Sequence, residues 1–270
     1  MTIHRLIIPA LALAGTLAAQ TFIQMSDPQF GMYTSDASFE RETANFEFAV
    51  ASANRVKPAF VVITGDLVNK AAGAAQVAEY KRIAARLDPG IKLYSVAGNH
   101  DLDNDTSAAT LARYRERFGA DYYSFHSGAI AGIVLDSNLE KDAGKVPAEA
   151  AKMETWFRGE LERAKLSGAR HIVVFQHVPF FVKDPAEPEE YFNIPKPVRE
   201  RYLHLLHEYG VEHVFAGHLH HNEIGHDGDL EMVTTGPVGK PLEGGKSGFR
   251  VVIVKDGKLT HQFYDFGDLP

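Results

Sequence analysis

The 270-residue sequence predicts a single α/β domain, and three observations carry that prediction. Short apolar runs alternate with longer stretches of helical period from Thr21 onward. After Ala216 the helical stretches stop and strand-like runs predominate. Five polar clusters each follow an apolar run directly, as loops beyond the carboxyl ends of strands do in α/β sheets.

The chain opens with Arg5, an apolar run over residues 6–17 and the small residues Ala18 and Ala19. That is the charged start, apolar middle and small-residue end of a secretory signal. Residues 1–20 are therefore expected to be a cleaved signal peptide and residues 21–270 the mature domain, secreted or periplasmic. The run is shorter than the roughly 20 residues a spanning helix needs, and Pro9 and Gly15 weaken it, so no stable membrane anchor is expected. Strands are expected at residues 22–25, 60–64, 93–97, 130–135, 172–175, 211–216, 232–235, 249–254 and 259–264. Phe39, Phe46, Val50 and Ala53 share one helical face. So do Met153, Trp156, Phe157, Leu161 and Ala164, and again Val198, Tyr202, Leu205, Leu206 and Tyr209. Pro147 stands where a helix begins, and Gly168 and Gly210 stand just past helix ends. The Pro- and acid-rich segment 183–197 reads as a long surface loop.

Acidic residues outnumber basic ones, 35 to 28, for a formal charge of −7. No basic surplus is available to displace counterions, so nucleic acid is not an expected partner. Thirteen histidines and no cysteine exclude thiolate metal sites, disulfides and a cysteine nucleophile, and point to nitrogen and oxygen ligands.

The polar clusters are Asp27-Pro28-Gln29 after FIQMS, Gly65-Asp66 after FVVIT, Gly98-Asn99-His100-Asp101 after LYSVA, Gln176-His177 after IVVF, and Gly217-His218-Leu219-His220 after HVFA. Glycines 65, 98 and 217 are expected to take positive φ, letting a strand turn sharply while its next side chain faces a metal.

This order resembles the calcineurin-like metallophosphoesterase family, whose pattern is D-x-H, G-D, G-N-H-[DE], a lone H and G-H-x-H. The resemblance covers nearly the whole mature chain. DPQFG at 27–31, FQH-x-P at 175–179 and YFN at 191–193 further resemble its group called calcineurin-like phosphoesterase domain-containing protein 1, regarded as serine/threonine phosphatases. The resemblance implies a four-layer α/β/β/α sandwich with mixed sheets and two divalent ions drawn from manganese, iron and zinc. Asp27, Asp66 and His220 would hold the first ion, with Asp66 bridging to the second, and Asn99, His177 and His218 would complete the second. Two divalent ions against two carboxylates leave about two positive charges, which suits a phosphate dianion. Gln29 stands where most of the family has histidine. Its amide oxygen is a weaker transition-metal ligand than imidazole, so altered metal affinity is expected.

The implied reaction is hydrolysis of a phosphomonoester, a small molecule or a phosphoprotein, by a metal-activated water. A phosphodiesterase on cyclic nucleotides or other diesters, and a catalytically silent metal- or phosphate-binding module, are the alternatives. By the same resemblance His100 protonates or steadies the leaving oxygen. Asn69 stands where the protein-phosphatase branch has an aspartate that orients this histidine, and Asp101 is a candidate to substitute for it. Asn99 is also placed to meet substrate, Lys70 occupies the position of a phosphate-binding arginine, and His221 and Asn222 border the pocket.

Overall fold

The computed structural model describes residues 19–268, so the expected signal segment lies, but for its last two residues, outside the described residues. Along the chain come β1 (Gln20–Met25), α1 (Glu40–Val56), β2 (Phe60–Ile63), α2 (Ala74–Ala84), β3 (Lys92–Ser95), α3 (Ala108–Phe118), β4 (Tyr123–Ser127) and β5 (Ile130–Val134). Then follow α4 (Ser137–Lys141), α5 (Pro147–Leu166), β6 (His171–Phe175), α6 (Lys196–Tyr209), β7 (His213–Ala216), β8 (Glu223–Asp227), β9 (Leu230–Thr234), β10 (Gly248–Lys255) and β11 (Lys258–Asp265). The strands form two mixed sheets, ordered β11-β10-β1-β2-β3 and β4-β5-β6-β7-β9-β8. The first is parallel from β1 through β2 to β3 and antiparallel from β1 through β10 to β11, whereas the second is parallel from β5 to β9 with an antiparallel pair at each edge.

Strands buried on both faces explain why the sequence shows solid apolar runs rather than alternation. Phe22 and Phe60 of the first sheet stack at 4.6 Å between centroids, and Phe22 meets Phe175 and Phe215 of the second edge-on at 5.8 and 5.7 Å. On the other face of the first sheet, Ile23, Met25, Val61 and Ile63 pack with Phe46, Val50 and Ala53 of α1. Ala131, Ile133 and Val174 of the second sheet pack with Met153 and Phe157 of α5 and with Tyr202 and Leu206 of α6. These are the four layers of the expected α/β/β/α sandwich. Among the described residues no helix is long and apolar enough to cross a membrane.

Five elements are additional to those expected, the short α4 among them. β4 and β8 are edge strands in which few side chains are buried, so their sequences YSFHS and EIGHD carry little apolar signal. α2 and α3 bury only short stripes, Val77, Tyr80 and Ile83 in one and Leu111 and Tyr114 in the other. The segment after β6 is also more than a surface loop. Its Asn193 and Ile194 are buried, and α6 begins at Lys196.

One buried group acts against stability. Glu140 of α4 is 4% exposed, both its carboxylate oxygens lack hydrogen-bond partners, and burial followed by the nearby Asp136 and Glu154 pushes its carboxyl well above the usual range. Above the unfolded-state value of about 4.3, the folded chain keeps a proton that the unfolded chain has released. Stability therefore falls as pH rises through the window between the two values. Glu140→Gln should flatten that slope and raise the unfolding free energy near pH 8 by about 0.5–3 kcal/mol, the usual span of single substitutions. Urea titrations from pH 4 to 9 check it, and equal slopes in the two proteins would exclude it.

Candidate metal centre

The loops after β1, β2, β3, β6 and β7 converge at one edge of the sandwich, and short backbone bonds stitch them together. Asp27 N donates to Gly65 O at 3.1 Å, Gln29 N to Asp66 O at 2.8 Å and Gly217 N to His177 O at 3.0 Å. Of the three glycines expected at positive φ, only Gly65 takes it, at 89°. The ligand residues themselves carry the turn: φ is 48° at Asp27, 50° at Asp66, 73° at His218 and 57° at His220. Such angles are uncommon for residues with a Cβ and concentrate at functional sites. The other two glycines answer to space instead. A Cβ at Gly98 would overlap the amide nitrogen of Asp66, and one at Gly217 would overlap Ser26 Oγ and lie 2.6 Å from Asp27 Oδ2.

Two buried ligand groups result, and they share one residue: Asp27, Asp66 and His220 form the first, and Asp66, His177 and His218 the second. His220 Nε2 lies 3.4 Å from Asp27 Oδ1, and His177 Nε2 lies 3.3 Å from Asp66 Oδ2. Asn99 Oδ1 comes within 3.0 Å of His177 Nε2, and His218 Nδ1 within 3.2 Å of it. Carbonyls behind the ring fix two of the imidazoles. His177 Nδ1–H donates to Thr64 O at 2.8 Å and His220 Nδ1–H to Lys240 O at 2.6 Å, which leaves each Nε2 lone pair for an ion. Gln29 lies two residues past Asp27 on the same loop. Its Nε2 donates to Asn69 Oδ1 at 3.2 Å, while Oε1 is buried without a partner, as an oxygen reserved for a metal would be.

The sequence of the calcineurin-like phosphoesterase family matches this chain over residues 21–222. The chain belongs to that family. As a calcineurin-like phosphoesterase it is a metal-dependent hydrolase of phosphoric esters, and its donor set of carboxylate, imidazole and amide oxygen fits two divalent ions. It is 36% identical over 263 residues to the serine/threonine-protein phosphatase CPPED1 of Bos taurus, covering 92% of this chain and 84% of the bovine one. The human CPPED1 is 33% identical over 264 residues, covering 92% and 84%. In fold it resembles a dimetal phosphatase from Danio rerio, with a TM-score of 0.68, 14% identity and coverage of 90% and 95%. It also resembles a purple acid phosphatase from yellow lupin, with a TM-score of 0.70, 14% identity and coverage of 94% and 52%.

Without ions the phosphoesterase site holds protons that a cation must displace, so metal uptake releases them. Burial opposes charge on Asp66, yet His177 and His100 hold its carboxyl below the usual range. Burial likewise opposes charge on His177, but Asp66 and Asp27 push it up to about 10. Burial and the His177 charge push His218 down to about 3, so its ring is neutral and ready to ligate. Burial raises Asp27.

The remaining residues singled out in the sequence fall in different places. His100 Nδ1 does bond to residue 69, but to its backbone carbonyl at 3.0 Å, because the Asn69 side chain is taken up by Gln29 and by Asp36. Asp101 does not reach the imidazole. It is buried, and it accepts from the amides of Leu67, Val68 and Gly98 at 2.9–3.2 Å, bracing the two ligand loops. Lys70 is exposed. His221 Nδ1 lies 3.8 Å from Glu243 Oε2. Asn222 gives its carbonyl to Arg250 and to the amide of Gly236, so it frames the site rather than offering that oxygen to substrate.

Several supporting residues were not singled out. Ser26 Oγ donates to Asp27 Oδ2 and is itself met by Thr64 Oγ1 at 2.9 Å. Thr64 is bonded by Gln24, Gln24 by Thr235 and Thr235 by Arg250, all buried between the sheets. A glutamine in the middle of an apolar strand and an arginine in FRVVIV were the signals available. Gln29→His should raise affinity for the first ion about 10-fold or more, since imidazole outranks an amide oxygen. Two-step titration with zinc checks this, and an unchanged first step would exclude Gln29 from the ligand set.

Proposed function

We propose that the chain is a phosphomonoesterase exported from the cytoplasm, using manganese, iron or zinc, with phosphoserine, phosphothreonine or small phosphate esters as substrates. The observation that carries this reading is the sharing of Asp66 by two buried ligand groups with only two carboxylates between them. Two ions there keep a net positive charge, which answers how a protein of formal charge −7 receives a dianion. The CPPED1 relatives support a phosphoprotein substrate, and the apolar run near Arg5 supports export. When bound, the ions would supply Lewis-acid charge to the phosphoryl oxygens and an activated water.

The chain's own residues do the rest. Asn99 presents Oδ1 toward His177, and its Nδ2 is steadied by Asn104 Oδ1 at 2.5 Å. His100 is fixed at both ends, by its backbone N on Asp66 Oδ1 at 2.9 Å and by Nδ1–H on the Asn69 carbonyl. That leaves Nε2, protonated in the imidazolium, for the leaving oxygen.

Chelation should abolish turnover of p-nitrophenyl phosphate, and manganese or zinc should restore it. On the restored protein, p-nitrophenyl phosphate should be hydrolysed at least about 10-fold faster in kcat/KM than bis-p-nitrophenyl phosphate. The reverse preference would make the enzyme a phosphodiesterase, and no turnover of either ester would leave a binding module.

A further inference from the structure

We infer that the cavity beside the second ligand group is a subsite for a neutral aromatic group carried by the phosphoester, with Tyr191 as its wall and Phe192 bracing that ring from behind. This rests on the phosphomonoesterase reading and adds a class of substrate to it.

Tyr191 and Phe192 are 58% and 43% exposed, and they are not scattered surface aromatics. The Tyr191 ring lies 4.9 Å from that of His218 and the Phe192 ring 6.1 Å from it, and the two aromatic rings meet edge-on at 5.2 Å. Tyr191 Oη is 3.4 Å from Asn99 Nδ2. The pair therefore stands at the lip of the metal centre.

The segment that carries the pair is built to hold it still. Arg199, fully buried, donates to Ile194 O twice, to Pro185 O and to Glu187 O at 2.8–3.1 Å. The Glu187 carboxylate accepts from the amides of Val182 and Lys183 and from Asn193 Nδ2. Lys141 Nζ, reaching across from α4, donates to Glu190 O and Asn193 O at 2.6 and 2.5 Å. Burying a guanidinium and an amide is costly unless they are bonded in this way. Such support is expected for a platform that receives a ligand, because rigid aromatics lose little entropy on binding.

The cavity has a volume of about 210 Å³ and is lined by Asn99, Asn104, Asn138, Lys141, Tyr191 and His218. It is smaller than the roughly 300–1,000 Å³ of pockets for drug-sized ligands, so the group it takes is of about one ring. Its one ammonium, Lys141, is spent on two carbonyls, and Asp142 adds an acid to the wall. A second phosphate or a carboxylate finds no free ammonium or guanidinium in that lining. A flat neutral ring finds a face to stack on and amide edges around it.

Calorimetry on the manganese-loaded protein with two unhydrolysable probes, methylphosphonate and phenylphosphonate, tests this. Phenylphosphonate should bind about 10-fold tighter, a ratio typical of one added aromatic contact with its buried area. Tyr191→Ala should pull the ratio toward one, Tyr191→Phe should keep it, and Phe192→Ala, which removes only the brace, should lower it less. 3-Phosphonopropionate, with its second anion, should bind no tighter than methylphosphonate. Phosphoserine peptides with Phe or Ala beside the phosphoserine, read the same way, separate a peptide side chain from a small aryl ester as the source of the ring. If methylphosphonate binds and phenylphosphonate binds no better, or if Tyr191→Ala keeps the ratio, the subsite is overturned while the phosphomonoesterase reading stands. If neither probe binds, both fall together.

Discussion

Asp66→Asn is expected to leave the protein folded, holding at most one ion, and slower by about 10³-fold or more on any phosphoester, because the lost charge serves both ions at once. The fold should survive for a local reason. An asparagine carbonyl can still accept the His100 amide that Asp66 Oδ1 accepts at 2.9 Å. An independent readout exists in the metal-free protein. Burial opposes the His177 charge and Asp66 is the largest group sustaining it, at about 10. With the carboxylate gone, the His177 ring should titrate well below that value, followed by its ring proton shifts in NMR. Two ions retained in the variant, or an unmoved His177, would remove Asp66 from the bridge.

His100→Asn should separate substrates by how badly their leaving groups need a proton. Para-nitrophenolate departs unaided near neutral pH, whereas an alkoxide does not. Loss of a general acid is expected to slow an alkyl phosphate by about 10²–10⁴-fold and p-nitrophenyl phosphate much less. The metal content should stay at that of the parent, since the ring bonds to the Asn69 carbonyl and not to a ligand position. Equal losses on the two substrates would make His100 a phosphate-positioning group instead.

The parts of this centre that were legible in the sequence are those where a side chain both ligates and ends a strand. Asp27, Asp66, His177, His218 and His220 each follow an apolar run buried on two faces, which leaves a continuous hydrophobic string, while Asn99 follows the half-exposed edge strand β3. The edge strands β4 and β8 were not legible because a half-exposed strand needs few apolar residues. The positive φ at the ligands was not legible either, since nothing in an aspartate or histidine announces it, and the glycines drew the inference instead. Asn69 was read from its position in the family pattern and Asp101 from its adjacency to His100. The three-dimensional bonds gave one to Gln29 and the other to backbone amides, which spacing along a chain cannot reveal.

The strip of polar side chains from Arg250 through Thr235, Gln24, Thr64 and Ser26 to Asp27 runs between two sheets otherwise packed with phenylalanine and valine. Gln24 sits on β1 and donates to the carbonyl of Ala216 on β7, so the strip is also a rivet through both sheets. A hydrophobic interface alone tolerates sliding by a fraction of a residue, whereas a rivet of hydrogen bonds accepts one alignment. Asp27 inherits that alignment. An ion held by Asp27 would therefore rest on a carboxylate whose position is set by the alignment of both sheets.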